Sequence, residues 1–159
     1  MKRLKILGFL LIVAALGFTA VNAQNGKFKT WKIKSSQSGG FAGINKSFTL
    51  DSDGNLNRVN KGQENFSKID ESKVAEIGKL IKELKLPGTK QKIFKGKRIY
   101  DGIYTGLVIT LDGKDYSVEG TSFNDAKYLA LSAKQKATLE RLKTKLNEID
   151  GFLPDSMTN

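Results

Sequence analysis

The chain has no cysteine and no histidine, and only two prolines and one tryptophan in 159 residues. Without cysteine or histidine there is no Ser-His or Cys-His nucleophile pair, and the usual zinc sites and common haem ligations are closed. Disulfides are excluded too, so a folded domain must be held by its core alone, which a chain of this length can supply. Any reaction would have to run on Asp, Glu, Lys, Tyr, Ser or Thr. The composition therefore points away from an enzyme and implies no cofactor and no metal.

A membrane-spanning run is missing as well. Residues 6–18 are uncharged, but that stretch is 13 residues long, where about 20 are needed to cross a bilayer. It follows Lys2, Arg3 and Lys5 and precedes Val21-Asn22-Ala23, with small residues where a signal peptidase inspects the chain. Residues 1–23 read as a signal peptide cleaved after Ala23, with no cysteine to carry a lipid anchor. The expectation is an exported protein, periplasmic or extracellular, with no transmembrane segment after cleavage.

Removing 23 of the 159 residues leaves 136, a usual size for one domain. Three of the 27 Lys and Arg residues and none of the 16 acidic ones lie in the leader, so the mature domain keeps 24 against 16, a net charge of +8. Such a surface favours acidic partners or polyanions, and equally describes a merely solvated basic face. Export makes nucleic acid an unexpected partner, leaving anionic envelope polymers, lipid headgroups or acidic proteins.

Along the mature chain, Trp31 and Ile33 alternate with lysines and predict a strand over residues 27–35. After the glycine-rich Ser38-Gly39-Gly40-Phe41-Ala42-Gly43, a second strand over residues 44–50 puts Ile44, Phe48 and Leu50 on one face. The turn Asp51-Ser52-Asp53-Gly54 leads to a third strand near residues 56–59. Then the period changes. Val74, Ile77, Ile81 and Leu84 form a helical stripe, with Asp70 as N-cap and Pro87-Gly88 as the stop. Gly78 inside it costs about 1 kcal/mol relative to alanine, so the helix leans on tertiary packing. Ile103–Leu111 is the clearest strand, and Asp112-Gly113 predicts a type I′ hairpin into a strand holding Tyr116 and Val118. Ser132 with Gln135 fits a capping box opening a last helix, whose stripe is Leu139, Leu142, Leu146 and Ile149. Gly151 and Pro154 end it, and residues 151–159 are expected to be a mobile tail. Hairpins in place of βαβ spacing give an α+β fold: a mostly antiparallel sheet of about five strands, with two amphipathic helices packed on one face. Residues 24–150 form a single domain.

Few motifs survive scrutiny. Asp51, Asp53 and Asn55 have the spacing of a calcium loop, but Leu56 stands where an EF-hand needs glycine and Gly62 where it needs glutamate. That segment reads as a turn. Gly39-Gly40-Phe41-Ala42-Gly43 lacks the lysine-serine pair and helix start of a phosphate loop, and reads as a bulge or tight loop between strands. Phe41 either plugs the core or presents an anchor to a partner, and physically the core has the stronger claim. Lys90, Lys92, Lys95, Lys97 and Arg98, with Phe94 and Tyr100 among them, would suit a polyanion. An exposed connection or a solvated edge blunted by lysines explains the same pattern. The carboxylates Asp101, Asp112, Asp115 and Glu119 gather near the second hairpin, yet nothing in their spacing enforces an acid–base pair.

The order of these pieces resembles a known family. Ser38-Gly39-Gly40-Phe41-Ala42-Gly43-Ile44 ends a strand, a hairpin and a helix follow, and Tyr100-Asp101-Gly102-Ile103-Tyr104 opens a hairpin before a leucine-spaced last helix. In layout, over residues 29–149, the chain is similar to the emfourin-type family, small bacterial proteins whose namesake inhibits thermolysin-like metalloproteases. Its departures are a lysine-rich linker, a longer stretch over residues 120–131 and no proline opening the last helix. The resemblance implies an inhibitor that occupies a metalloprotease cleft stoichiometrically. It names no contact residues. Gly39, Gly40, Phe41, Ala42, Gly43 and Ile44 are the physical candidates, an aromatic anchor between glycines that let backbone approach backbone. The alternative is a non-catalytic envelope-binding module using the Lys90–Arg98 cluster.

Overall fold

The computed structural model describes residues 28–40, 43–93, 103–120 and 127–150, so the expected leader and tail lie outside the described residues. Strands β1 (Trp31–Gly39), β2 (Ile44–Asp51), β3 (Asn55–Asn60) and β4 (Gln63–Lys68) lead into helix α1 (Glu71–Leu84). Strands β5 (Gln91–Ile93), β6 (Ile103–Leu111), β7 (Lys114–Gly120) and β8 (Lys127–Leu129) precede helix α2 (Ala133–Asp150). The fold is α+β. Its main sheet runs β4-β3-β2-β1-β6-β7, every pair antiparallel, and β5 and β8 form a separate two-stranded sheet.

The expected count of about five strands is therefore too low, for a physical reason. All six residues of β4 are exposed, so its sequence carries no apolar alternation. What makes it a strand is the turn before it. Lys61 and Gly62 have φ of 50° and 81°, the positive values of a type I′ turn, and this folds β4 back onto β3. The small sheet has strands of three residues each, too short to show a period. The first strand spans residues 31–39 instead of 27–35, because Ser36, Gln37 and Ser38 pair on both sides, with β2 and with β6. A central position in the sheet outweighs their weak strand preference.

Alternate residues of the strands build the core. Ile33 lies between Leu50 and Ile109 in register, and all three are fully buried. Trp31, Phe48, Leu56, Leu107 and Leu111 extend this layer. Ile77, Leu80, Ile81 and Leu84 of α1 and Leu139, Leu142 and Leu146 of α2 belong to the same cluster. Burial of each such side chain is worth about 1.5–3 kcal/mol.

Both helix ends follow local chemistry. At α2 the capping box forms: Gln135 Oε1 accepts from Ser132 N–H at 2.9 Å, and Ser132 Oγ accepts from Gln135 N–H at 3.3 Å. Asp70 is the N-cap of α1 by position, but its side chain makes no capping bond. That helix ends at Lys85, which adopts the left-handed region before Leu86 turns back into the core. Gln135 also donates from Nε2 to the Leu84 carbonyl at 2.7 Å, satisfying an end group of α1 and tying it to α2. Gly78 has its packing reason in Trp31: a Cβ there would sit 3.1 Å from the indole Nε1.

Candidate functional site

The glycine-rich candidate lies at the tip of the β1–β2 hairpin, in the middle of the main sheet. Gly39 ends β1 and stands in register with both Ile44 and Ile103. Gly39, Gly40 and Gly43 have φ of 100°, 69° and 58°, a region in which a side chain is strained, and Gly43 N–H donates to the Gly40 carbonyl at 3.0 Å. Sequence reasoning placed a tight glycine loop here, and the backbone requires one. Ile44 opens β2 and is half-buried. Phe41 and Ala42 lie outside the described residues.

Three further features share this end of the sheet. The Lys61-Gly62 turn is tied to the β1–β2 hairpin by Lys61 N–H donating to the Asn45 carbonyl at 2.8 Å. β6 begins here and β7 ends here, since Gly106 pairs with Gly120 and Gly39 with Ile103. Behind the tip, a shallow groove of about 230 Å³ runs between β1, β6 and β7, lined by Ser36, Ser38, Tyr104, Ser117 and Tyr128 among others.

The basic candidate divides. Lys90 and Lys92 are exposed, and Lys92 sits in β5 in register with Tyr128. Lys95, Lys97 and Arg98 lie outside the described residues, as do Phe94, Tyr100 and Asp101. Lys92 and Lys136 of α2 both line a cleft of about 360 Å³, together with the apolar Val118, Leu129, Leu131 and Leu139.

Glu119 and Glu140 line the same cleft, and with Lys143 they form the group that sequence reasoning missed. Lys143 is 2% exposed, with Nζ 3.1 Å from Glu119 Oε2 and 3.1 Å from Glu140 Oε1. An isolated buried ammonium would cost several kcal/mol, so these two carboxylates are what permits it. A signal existed. Lys143 is four residues after Leu139 and three before Leu146, on the flank of the buried stripe.

Three other carboxylates are occupied elsewhere. Asp112 Oδ1 accepts from the N–H groups of Thr30 and Lys29 at 2.9 and 3.0 Å, and the Thr30 bond is the main cause holding its carboxyl below the usual range. Asp115 accepts from the Thr110 hydroxyl at 2.7 Å. Asp51 Oδ1 accepts from the N–H groups of Asp53 and Asn55, both at 3.0 Å, which makes this segment a side-chain-capped turn. Among the described residues no group of three or more acidic, cysteine or histidine side chains is placed to hold a metal, and no helix is long and apolar enough to cross a membrane.

Compared with family models and with curated proteins, the sequence matches none.

Proposed function

We propose that the protein is an exported, non-catalytic inhibitor of a metalloprotease that acts by lodging the β1–β2 tip in the enzyme's cleft. The observation that carries this reading is the tip itself, a central hairpin closed through three glycines of positive φ. A loop so built lets main chain approach main chain, and Phe41, which the sequence sets between those glycines, is the aromatic anchor of this reading. The emfourin-like layout supports the same target class. In this reading the two helices form a rear layer on one face of the sheet, keeping the hairpin rigid so that little ordering is lost on binding. Export places the target in the periplasm or the medium.

The test is a titration of the mature domain into a thermolysin-like metalloprotease, following residual activity and the intact mass of the domain. Stoichiometric loss of activity with the domain uncut is expected, and Phe41→Ala should abolish it while leaving the fold intact. Rapid cleavage of the domain, or full activity at excess domain, rules the target class out.

One observation favours a second reading. Lys92 and Lys136 line one cleft, and Lys90, two residues before Lys92, is exposed, which suits anionic polymers or lipid headgroups. Binding of that kind would fall steeply with salt and ignore Phe41.

A further inference from the structure

Strand β4 ends the main sheet, and among the described residues no strand pairs with its outer edge. It is exposed along its whole length, and Phe66 at its centre is 71% exposed, the most exposed large apolar side chain among the described residues. Backbone groups alternate along an antiparallel strand, so alternate residues point their N–H and C=O toward one neighbour. The two-residue turn makes Asn60 and Gln63 the first hydrogen-bonded pair, which turns Gln63, Asn65 and Ser67 toward β3. Ile69 keeps the same phase, donating its N–H to the Gly54 carbonyl at 2.9 Å. Glu64, Phe66 and Lys68 therefore aim their N–H and C=O groups outward. Their side chains share the sheet face away from the core, opposite Val59, Asn57 and Asn55 in register.

This edge is complementary to itself. If a second β4 is laid antiparallel with Phe66 opposite Phe66, Glu64 of each copy falls opposite Lys68 of the other and Asn65 opposite Ser67. Each Glu64–Lys68 match unites opposite charges across the joint, and the symmetry makes two of them. Isolated edges are commonly blunted by charge of one sign; here one acidic and one basic residue flank an aromatic at equal spacing. We propose that β4 is a self-association edge, through which two copies of the chain join their sheets about a two-fold axis at Phe66. The occupant is a second copy, since a two-fold contact must be self-complementary and this one is. With strands of six residues the contact is small, below about 1,200 Å², so the pair is reversible and concentration-dependent. The inference is independent of the inhibitor reading.

The experiment is sedimentation of the mature chain from micromolar to millimolar concentration, with two charge reversals. Glu64→Lys and Lys68→Glu should each raise the dimer dissociation constant by at least about tenfold, because like charges then face each other twice. Mixing the two variants restores pairing, and the double reversal restores it in one chain. In the dimer, hydrogen exchange at the amides of Glu64, Phe66 and Lys68 slows with concentration while that of Asn65 and Ser67 stays constant. A chain that is monomeric throughout, or a dimer indifferent to either reversal, overturns the proposal. So does a monomer whose β4 amides are protected only by an unrelated extended peptide.

Discussion

Where β2 turns into β3, the Asp51 carboxylate accepts three bonds, from the N–H groups of Asp53 and Asn55 and from Asn55 Nδ2 at 3.1 Å. Beside it, at the same end of the sheet, Asp112 binds the chain just before β1 through Lys29 and Thr30. Where β1 turns into β2, at the opposite end, the bond across the tip among the described residues is a backbone one, from Gly43 N–H to the Gly40 carbonyl. The two ends thus divide labour within a single sheet. Side-chain acceptors fix one end, and among the described residues the other is shaped by glycine backbone angles and by main-chain bonds. In a domain without disulfides, the far end and the core hold the register of the sheet.

Substituting glycine at each end should expose this contrast. Gly54 has φ of 82°, and a Cβ there would lie 3.1 Å from both the Ile69 carbonyl oxygen and a Val74 methyl. Gly54→Ala is expected to destabilise by about 2–4 kcal/mol, combining backbone strain with overpacking, as read from urea unfolding. Asp51→Ala removes the acceptor from the same turn and should cost about 1–2 kcal/mol in the same measurement. Gly43 also has positive φ, but among the described residues nothing lies within 4 Å of its Cβ position. Gly43→Ala should therefore cost only the backbone term, about 1 kcal/mol, and a larger loss would mean the tip is packed after all. The smallest effect is expected at Asp112, where the carboxyl's folded-state pKa is lowered chiefly by the Thr30 N–H. A lowered pKa means that its contribution is present above the unfolded carboxylate value and is lost as pH falls through the folded one. Asp112→Asn should flatten that part of the acid stability profile, seen as midpoints of thermal unfolding compared between neutral and acid pH.

Elements whose sequence carries a period were legible. The α1 stripe, the bounds of β6, the Asp112-Gly113 turn and the Ser132–Gln135 cap follow from side chains a few residues apart. β4 was not legible, because its residues bury nothing and its pairing is dictated by a turn outside it. At the candidate site, the glycine tip was visible in composition, since only glycine tolerates those angles. Contacts across the fold were not. The Glu119–Lys143 pair joins residues 24 positions apart, and only the packing of α2 beside β7 brings them together. The sequence marks Asp112 as a turn residue, but its grip on Lys29 and Thr30 spans 83 and 82 positions. Such bonds leave no periodic trace.

The close approach of Gly78 to Trp31 gives the molecule an internal optical reporter. The chain has a single tryptophan, so its emission arises from one place, the seam where α1 rests on β1. Lifting of α1 from the sheet would wet this indole and redden its fluorescence even while the strands stayed paired. Followed beside far-ultraviolet circular dichroism, the native chain, with no added label, would show whether helix and sheet separate together or in turn.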